Sequence, residues 1–347
     1  MIKKKVAVLV SGLMIISFVG CGAQSSNVPD DEYVLKIGEP VGGLCHAPLQ
    51  VAMENGYFDE EGIKWERVDF GSGDIQAALG AGSIDCGFGL VGKFVQPIEN
   101  GLNMVMTAGM HTGCTKILVA GDSGIESIED LKGKTIAVSS LAGSEAVTAK
   151  RVLAAAGVDV SAGSSEVEFV TYNVADQPAA LINNAVDAIA VFDPVATYAE
   201  REYGLTVLLD TAATEPYASE YCCVSFVSQE LAENHPKIAA AYTRAVLKAS
   251  AWVEEHPEEA AAIQIKGEYV SGDVETNAAI LSSYHYIPSV QGGYDALVNV
   301  CTDMKAIGLL KDSTDVDAMI QRSYKFFDDV PDSYQIQGED FIPVNKE

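Results

Sequence analysis

From residue 33 onward, short apolar and β-branched runs alternate with stretches in which apolar positions recur every three or four residues. The first series predicts strands over residues 33–38, 65–70, 84–89, 104–108 and 117–119, with helices over 47–55, 74–81 and 91–100 between them. Pro48 falls in the first turn of its helix, where a missing N–H costs nothing. The pattern then restarts. Strands are expected over 134–138, 167–172, 188–192 and 206–210, and helices over 144–156, 177–183 and 194–203, the first of these closed by Gly157. From residue 229 the chain turns mainly helical and acidic, including segments 237–255 and 298–307. Strands alternating with helices imply a parallel, doubly wound sheet, here twice over.

An internal echo supports two similar lobes. Asp74-Ile75-Gln76-Ala77-Ala78-Leu79 leads to Asp85, and Asp176-Gln177-Pro178-Ala179-Ala180-Leu181 leads to Asp187 at the same offset. Each unit runs helix, turn, acidic residue, strand, and self-similarity of this kind marks repeated units.

The N-terminus has a different pattern. Lys3, Lys4 and Lys5 precede an apolar run over residues 6–19, too short for a comfortable membrane span, which needs about 20 residues. This is the form of a secretory signal. It ends Phe18-Val19-Gly20-Cys21-Gly22, which resembles a bacterial lipobox and makes Cys21 the expected site of lipidation. Residues 1–20 are then a signal peptide and 21–32 a small, polar tether. The expected location is outside the cytoplasmic membrane, held there by lipid.

Charge narrows the partners. Asp and Glu number 49 against 22 Lys and Arg, a net charge of −27, which excludes nucleic acid as a partner because phosphate backbones call for clustered cations. Hydrophobic residues make up 48% of the chain, enough for a sizeable core and against disorder.

His46-Ala47-Pro48-Leu49-Gln50-Val51-Ala52-Met53-Glu54-Asn55-Gly56-Tyr57-Phe58 with Gly62-Ile63, the run Ala78–Asp85, and Asp130-Leu131-Lys132-Gly133-Lys134 together resemble the nitrate/sulfonate/taurine-type substrate-binding proteins of ABC transporters, which share a fold with thiamine-pyrimidine binding and synthesis proteins. The resemblance implies a type II periplasmic-binding-protein fold: two doubly wound α/β lobes, a crossover hinge and a helical C-terminal region. It places lobe 1 at residues 33–112 and 224–347 and lobe 2 at 113–223. It also implies a monomer that captures a small nitrogen- or sulfur-containing anion or heteroaromatic nutrient in the cleft and delivers it to a permease and its ATPase, without a cofactor. No Gly-x4-Gly-Lys-Ser/Thr loop occurs, so the energy step lies elsewhere.

In open α/β sheets ligands sit beyond the carboxyl ends of strands, near helix N-termini. That rule selects Gly43, Cys45 and His46 after the first strand, Ser72 before the second helix, Gly89 and Leu90 after the third strand, and Ser140, Gly143 and Ser144 as the best anion cradle by composition. Ser72 could equally cap its helix, and Asp193 could face the ligand or cap the helix at Pro194. His111, Cys114 and Tyr221 lie near the two crossovers, with Cys222 and Cys223 beside Tyr221. The thiols and imidazoles are compatible with a soft metal, a disulfide or simply buried small hydrophobes, three readings that stay open. A second function class is a thiamine-pyrimidine-synthase-like enzyme, opposed by the export signal and by the absence of an acid/base pair at recognisable spacing; a third is a metal- or metallo-cofactor-binding lipoprotein.

Overall fold

The structure is a computed structural model that describes residues 28–39, 42–69 and 74–345; Cys21, the signal segment and Ser72 lie outside the described residues. Strands β1 (Val34–Glu39), β2 (Lys64–Asp69), β3 (Cys86–Leu90) and β4 (Met104–Thr112) form one sheet with a late strand. Strands β5 (Thr115–Val119), β6 (Thr135–Val138), β7 (Glu168–Thr171), β8 (Ala188–Phe192) and β9 (Thr206–Asp210) form the second, and the chain then returns as β10 (Tyr221–Ser228) to the first. The orders are β2-β1-β3-β10-β4 and β7-β6-β8-β5-β9. The two sheets are therefore the same arrangement used twice.

Neither sheet is purely parallel. β10 runs antiparallel to β3 and β4, and β5 runs antiparallel to β8 and β9. These are the first strand of each lobe after a crossover, which enters its sheet from the neighbouring lobe without a helix to reverse it. β10 pairs in the first sheet from Tyr221 onward, so residues 221–223 belong to the first lobe and not to the end of the second. The helical C-terminal region holds Pro236–Glu255 and Val290–Ala306, the latter starting well before residue 298, and ends in a hairpin of β11 (Ser333–Gln337) and β12 (Asp340–Val344) that the helical pattern did not foretell.

The apolar runs read as strands because they are covered on both faces. In β8, Ala188 and Ala190 face one apolar cluster of the second lobe while Ile189 and Val191 face the other. Ile189 and Val191 each contribute roughly 1.5–3 kcal/mol when fully buried. The sequence echo has a structural cause. Asp85 Oδ2 accepts from the Lys36 N–H and Asp187 Oδ2 from the Thr135 N–H, both at 2.9 Å, so each carboxylate pins the strand next to it at the same point of its lobe.

Only Gly113 and Cys114 separate β4 from β5. Gly113 has φ +68°, and a Cβ there would stand 2.5 Å from the Cβ of Ala212 on the return crossover. Gly113→Ala combines left-handed strain with overpacking against backbone and should cost about 3 kcal/mol of unfolding free energy. Gly124→Ala, at φ +71° with nothing within 4 Å, should cost only about 1 kcal/mol. Equal losses in denaturant titrations would contradict the tight crossover.

Candidate functional site

The carboxyl ends of β1, β3 and β4 and the start of β10 point toward the second lobe, and the side chains there are mostly sulfur, imidazole and aromatic. Leu44–His46 forms a 3-10 turn that leads into helix Ala47–Glu54, which buries Cys45 and His46. β4 supplies His111, the crossover Cys114, and β10 Cys222 and Cys223. Cys45, His111 and Cys223 bring their ligating atoms within 4.8 Å of one another, as do Cys114, Cys222 and Cys223. The Sγ atoms of Cys114 and Cys222 are 3.2 Å apart, and both thiols are free. His111 lies between Phe88 and Tyr284, its ring near parallel to each, with Tyr286 tilted 4.7 Å away. Its Nδ1 faces the Thr112 carbonyl at 3.1 Å, and its Nε2 is buried without a hydrogen bond among the described residues.

The four thiols do not titrate alike. Burial pushes Cys222 up, but hydrogen bonds from Cys114 and Cys223 outweigh it and bring it down to about 6. A hydrogen bond from Cys223, with His46 and His111 near, holds Cys45 well below the ordinary thiol range. Cys114 goes up chiefly through its bond to Cys222, and Cys223 chiefly through burial. The pattern is two thiolate-prone sulfurs, each served by a thiol donor. Nearby Glu39, at the end of β1, is pushed up to about 8 by burial; Oε1 accepts from Gln50 Nε2 at 2.7 Å and Oε2 has no partner among the described residues.

The second lobe presents a different face. The loop expected to cradle an anion already holds one. Glu145 folds back from the first turn of helix Ser144–Ala155, and its Oε1 accepts from the Ser139 N–H at 2.8 Å and from the Ser139 hydroxyl. Gly143 is required by this carboxylate, since a Cβ there would stand 2.8 Å from both of its oxygens. Ser140 is exposed, while Ser144 is buried with its Oγ 3.1 Å from where a Cβ on Gly92 would lie. Asp193 Oδ1 accepts from the Thr197 N–H at 2.8 Å in the first turn of the helix after Pro194, and Oδ2 accepts from Tyr284 Oη at 3.2 Å across the lobe boundary.

The closed rim is held by Arg151. Its Nη atoms bond Glu220 in bidentate fashion at 2.6 and 2.9 Å, and Nε bonds Asp303 at 2.8 Å. On the other side, Tyr198 meets Asp273 and Arg201 meets Thr276. Arg151 and Glu220 line both a small internal cavity of about 30 Å³, which Cys222 also lines, and an outer groove of about 520 Å³ that includes Glu215, Asp295 and Asp303.

Cys45, His46, His111 and Cys114 thus come together, and Cys222 and Cys223 join them. Cys86, at the opposite end of β3, does not; it lies near Tyr242 and the Lys36 carbonyl. Gly89 packs under Phe94, Gly43 beside His46, and Leu90 opens helix Val91–Glu99. Tyr221 lays its ring over Gly109 and Gly292 and donates to the Ile287 carbonyl at 2.5 Å, a packing role. Sequence reasoning missed Glu39, Glu145, Arg151, Glu220, Tyr284 and Tyr286. The first two end a strand or begin a helix beside a chosen loop, a signal that was present; the tyrosines come from a segment with no regular pattern.

The model of the family described as NMT1/THI5 like matches residues 44–260. The putative aliphatic sulfonates-binding protein of Bacillus subtilis is 28% identical over 268 residues, 75% of this chain and 76% of that one. The 4-amino-5-hydroxymethyl-2-methylpyrimidine phosphate synthase of Legionella pneumophila is 25% identical over 222 residues, 62% of this chain and 67% of that one. Among solved structures, the periplasmic aliphatic sulphonate binding protein SsuA from Escherichia coli superposes with a TM-score of 0.70 at 20% identity, covering 92% of this chain and 99% of that one. That likeness establishes the periplasmic-binding-protein fold.

Glu39 carries a pH signature. Its folded value of about 8 lies above the usual carboxylate range, so the folded state holds a proton that the unfolded chain releases. Stability should fall as pH rises from about 5 to 8, by up to about 1.4 kcal/mol per unit from this group. Glu39→Gln, which mimics the protonated acid, should match the parent near pH 5 and exceed it at pH 8 in chemical denaturation; parallel curves would contradict the assignment.

Proposed function

Because the chain belongs to the NMT1/THI5-like family, we propose that it is the extracytoplasmic solute-binding protein of an ABC importer. A small ligand enters between the lobes, the lobes close over it, and the closed form is presented to a permease with its ATPase. The carrying observation is the pair of matching lobes joined by two adjacent crossovers and fastened at the rim by Arg151, Glu220 and Asp303. The names of the sulfonate-binding relatives support a small sulfur-containing ligand as the first class to try. Binding is favoured over the chemistry named for the Legionella relative because the segment Lys3–Cys21 has the form of an export signal. Lipidation at Cys21, a single subunit and the ligand contacts of Gly43, Ser72, Gly89, Leu90, Ser140 and Ser144 belong to the same reading.

Thermal-shift measurements with alkanesulfonates, taurine, nitrate, thiamine-type pyrimidines and metal cations test it. At least one should raise Tm, because a ligand that binds only the folded state stabilises it. Arg151→Ala should weaken that ligand by about tenfold or more through loss of the charge-assisted bonds that hold the closed form. Stabilisation by none of these classes, or an unchanged affinity in Arg151→Ala, would overturn the capture-by-closure reading.

A further inference from the structure

We infer that the interlobe site takes a thiophilic d10 metal cation, Cu+ or Zn2+, as its ligand, held by Cys45, His111 and Cys223 with Cys114 and Cys222 alongside. Three segments far apart in sequence converge to place three soft or borderline donor atoms within 4.8 Å of one another, and a second group of three shares Cys223. Thiolate sulfur and neutral imidazole nitrogen are the donors such ions select. His111 Nε2 is fully buried, has no hydrogen bond within ordinary geometry among the described residues, and lies in the first of these groups.

An oxyanion finds few donors in the same place. Lys116 is engaged by Asp193, Glu200 and Asp210 at 3.7–3.8 Å, and Arg151 by Glu220 and Asp303. Glu145 occupies the Ser139 amide. The way in is acidic: the outer groove carries Glu215, Glu220, Asp295 and Asp303 against one arginine, a field that concentrates cations. The small cavity behind Arg151 and Glu220 leads to Cys222. On coordination each thiol that becomes a ligand releases its proton to solvent, and no electron is transferred. The binding stands by itself; only its meaning as cargo rests on the importer reading.

The test uses the full chain, reduced and anaerobic, titrated with Cu+ and with Zn2+ against a competing chelator. The expected result is a single bound ion, thiolate-to-metal charge-transfer absorption with Cu+, and a higher Tm. Cys45→Ser, Cys223→Ser and His111→Ala should each weaken binding by about tenfold or more, while Cys301→Ala, in helix Val290–Ala306 away from the cluster, should not. Should a variant misfold, X-ray absorption on the parent protein decides: a sulfur-rich first shell with nitrogen supports the site, and an oxygen-only shell overturns it. Failure of both cations to bind, or binding undiminished in a folded Cys223→Ser, also overturns it. Stabilisation by a sulfonate or nitrate with neither cation binding would remove the metal inference and leave the importer reading standing; stabilisation by no ligand class removes both.

Discussion

The close passage of the two crossovers, Gly113 against Ala212, is the constraint on which the rest of the molecule depends. Everything between these residues is one lobe, joined covalently to the other by the chain on either side of that contact. Two residues separate β4 from β5, and residues 211–220 lead from β9 to β10; both incoming strands run antiparallel in sheets otherwise built from crossover helices. The adjacency of the two crossovers brings Cys114 on one against Cys222 just beyond the other. The sulfur cluster is therefore a consequence of the topology as much as of composition: any side chains at these positions would be forced together, and here they are thiols.

Carboxylates account for much of how the cations are deployed. With acids more than twice as numerous as bases, several partly buried cations have more than one carboxylate partner: Arg151 two, Lys116 three, Arg244 both Glu61 and Asp329. Sharing of this kind satisfies buried charge and leaves Arg151 and Lys116 already engaged. The acidity seen in the raw sequence is thus more than a surface property, since it fixes which charges remain to meet a ligand.

Much of the fold was legible because each lobe repeats its signals. The Asp85 and Asp187 pins, the apolar run of β8, and helix starts at Ala47 and Ser144 all follow from local chemistry acting within a few residues. The direction of β5 was not legible, because an apolar run has no polarity that tells parallel from antiparallel, and β10 itself was not expected as a strand. The hairpin Ser333–Val344 is short and mixed in composition, and it lies in a tail dominated by helices. At the site, positions after strands were found by rule, whereas partnerships were not. Glu145 stands in a helix's first turn, where an acid is commonplace, and no local signal shows it folding back on Ser139; the convergence of Cys45, His111 and Cys223 depends on strand register across segments more than 60 residues apart.

The carboxylate of Glu145 has a consequence beyond its hydrogen bonds. It is a ligand tethered to its own receptor, so its effective concentration at the Ser139 amide is of order millimolar or higher whatever the composition outside the cell. A dissolved anion at micromolar levels would have to compete with a rival that never diffuses away. A loop that in outline is an anion trap is therefore already filled by a resident that the chain encodes for itself.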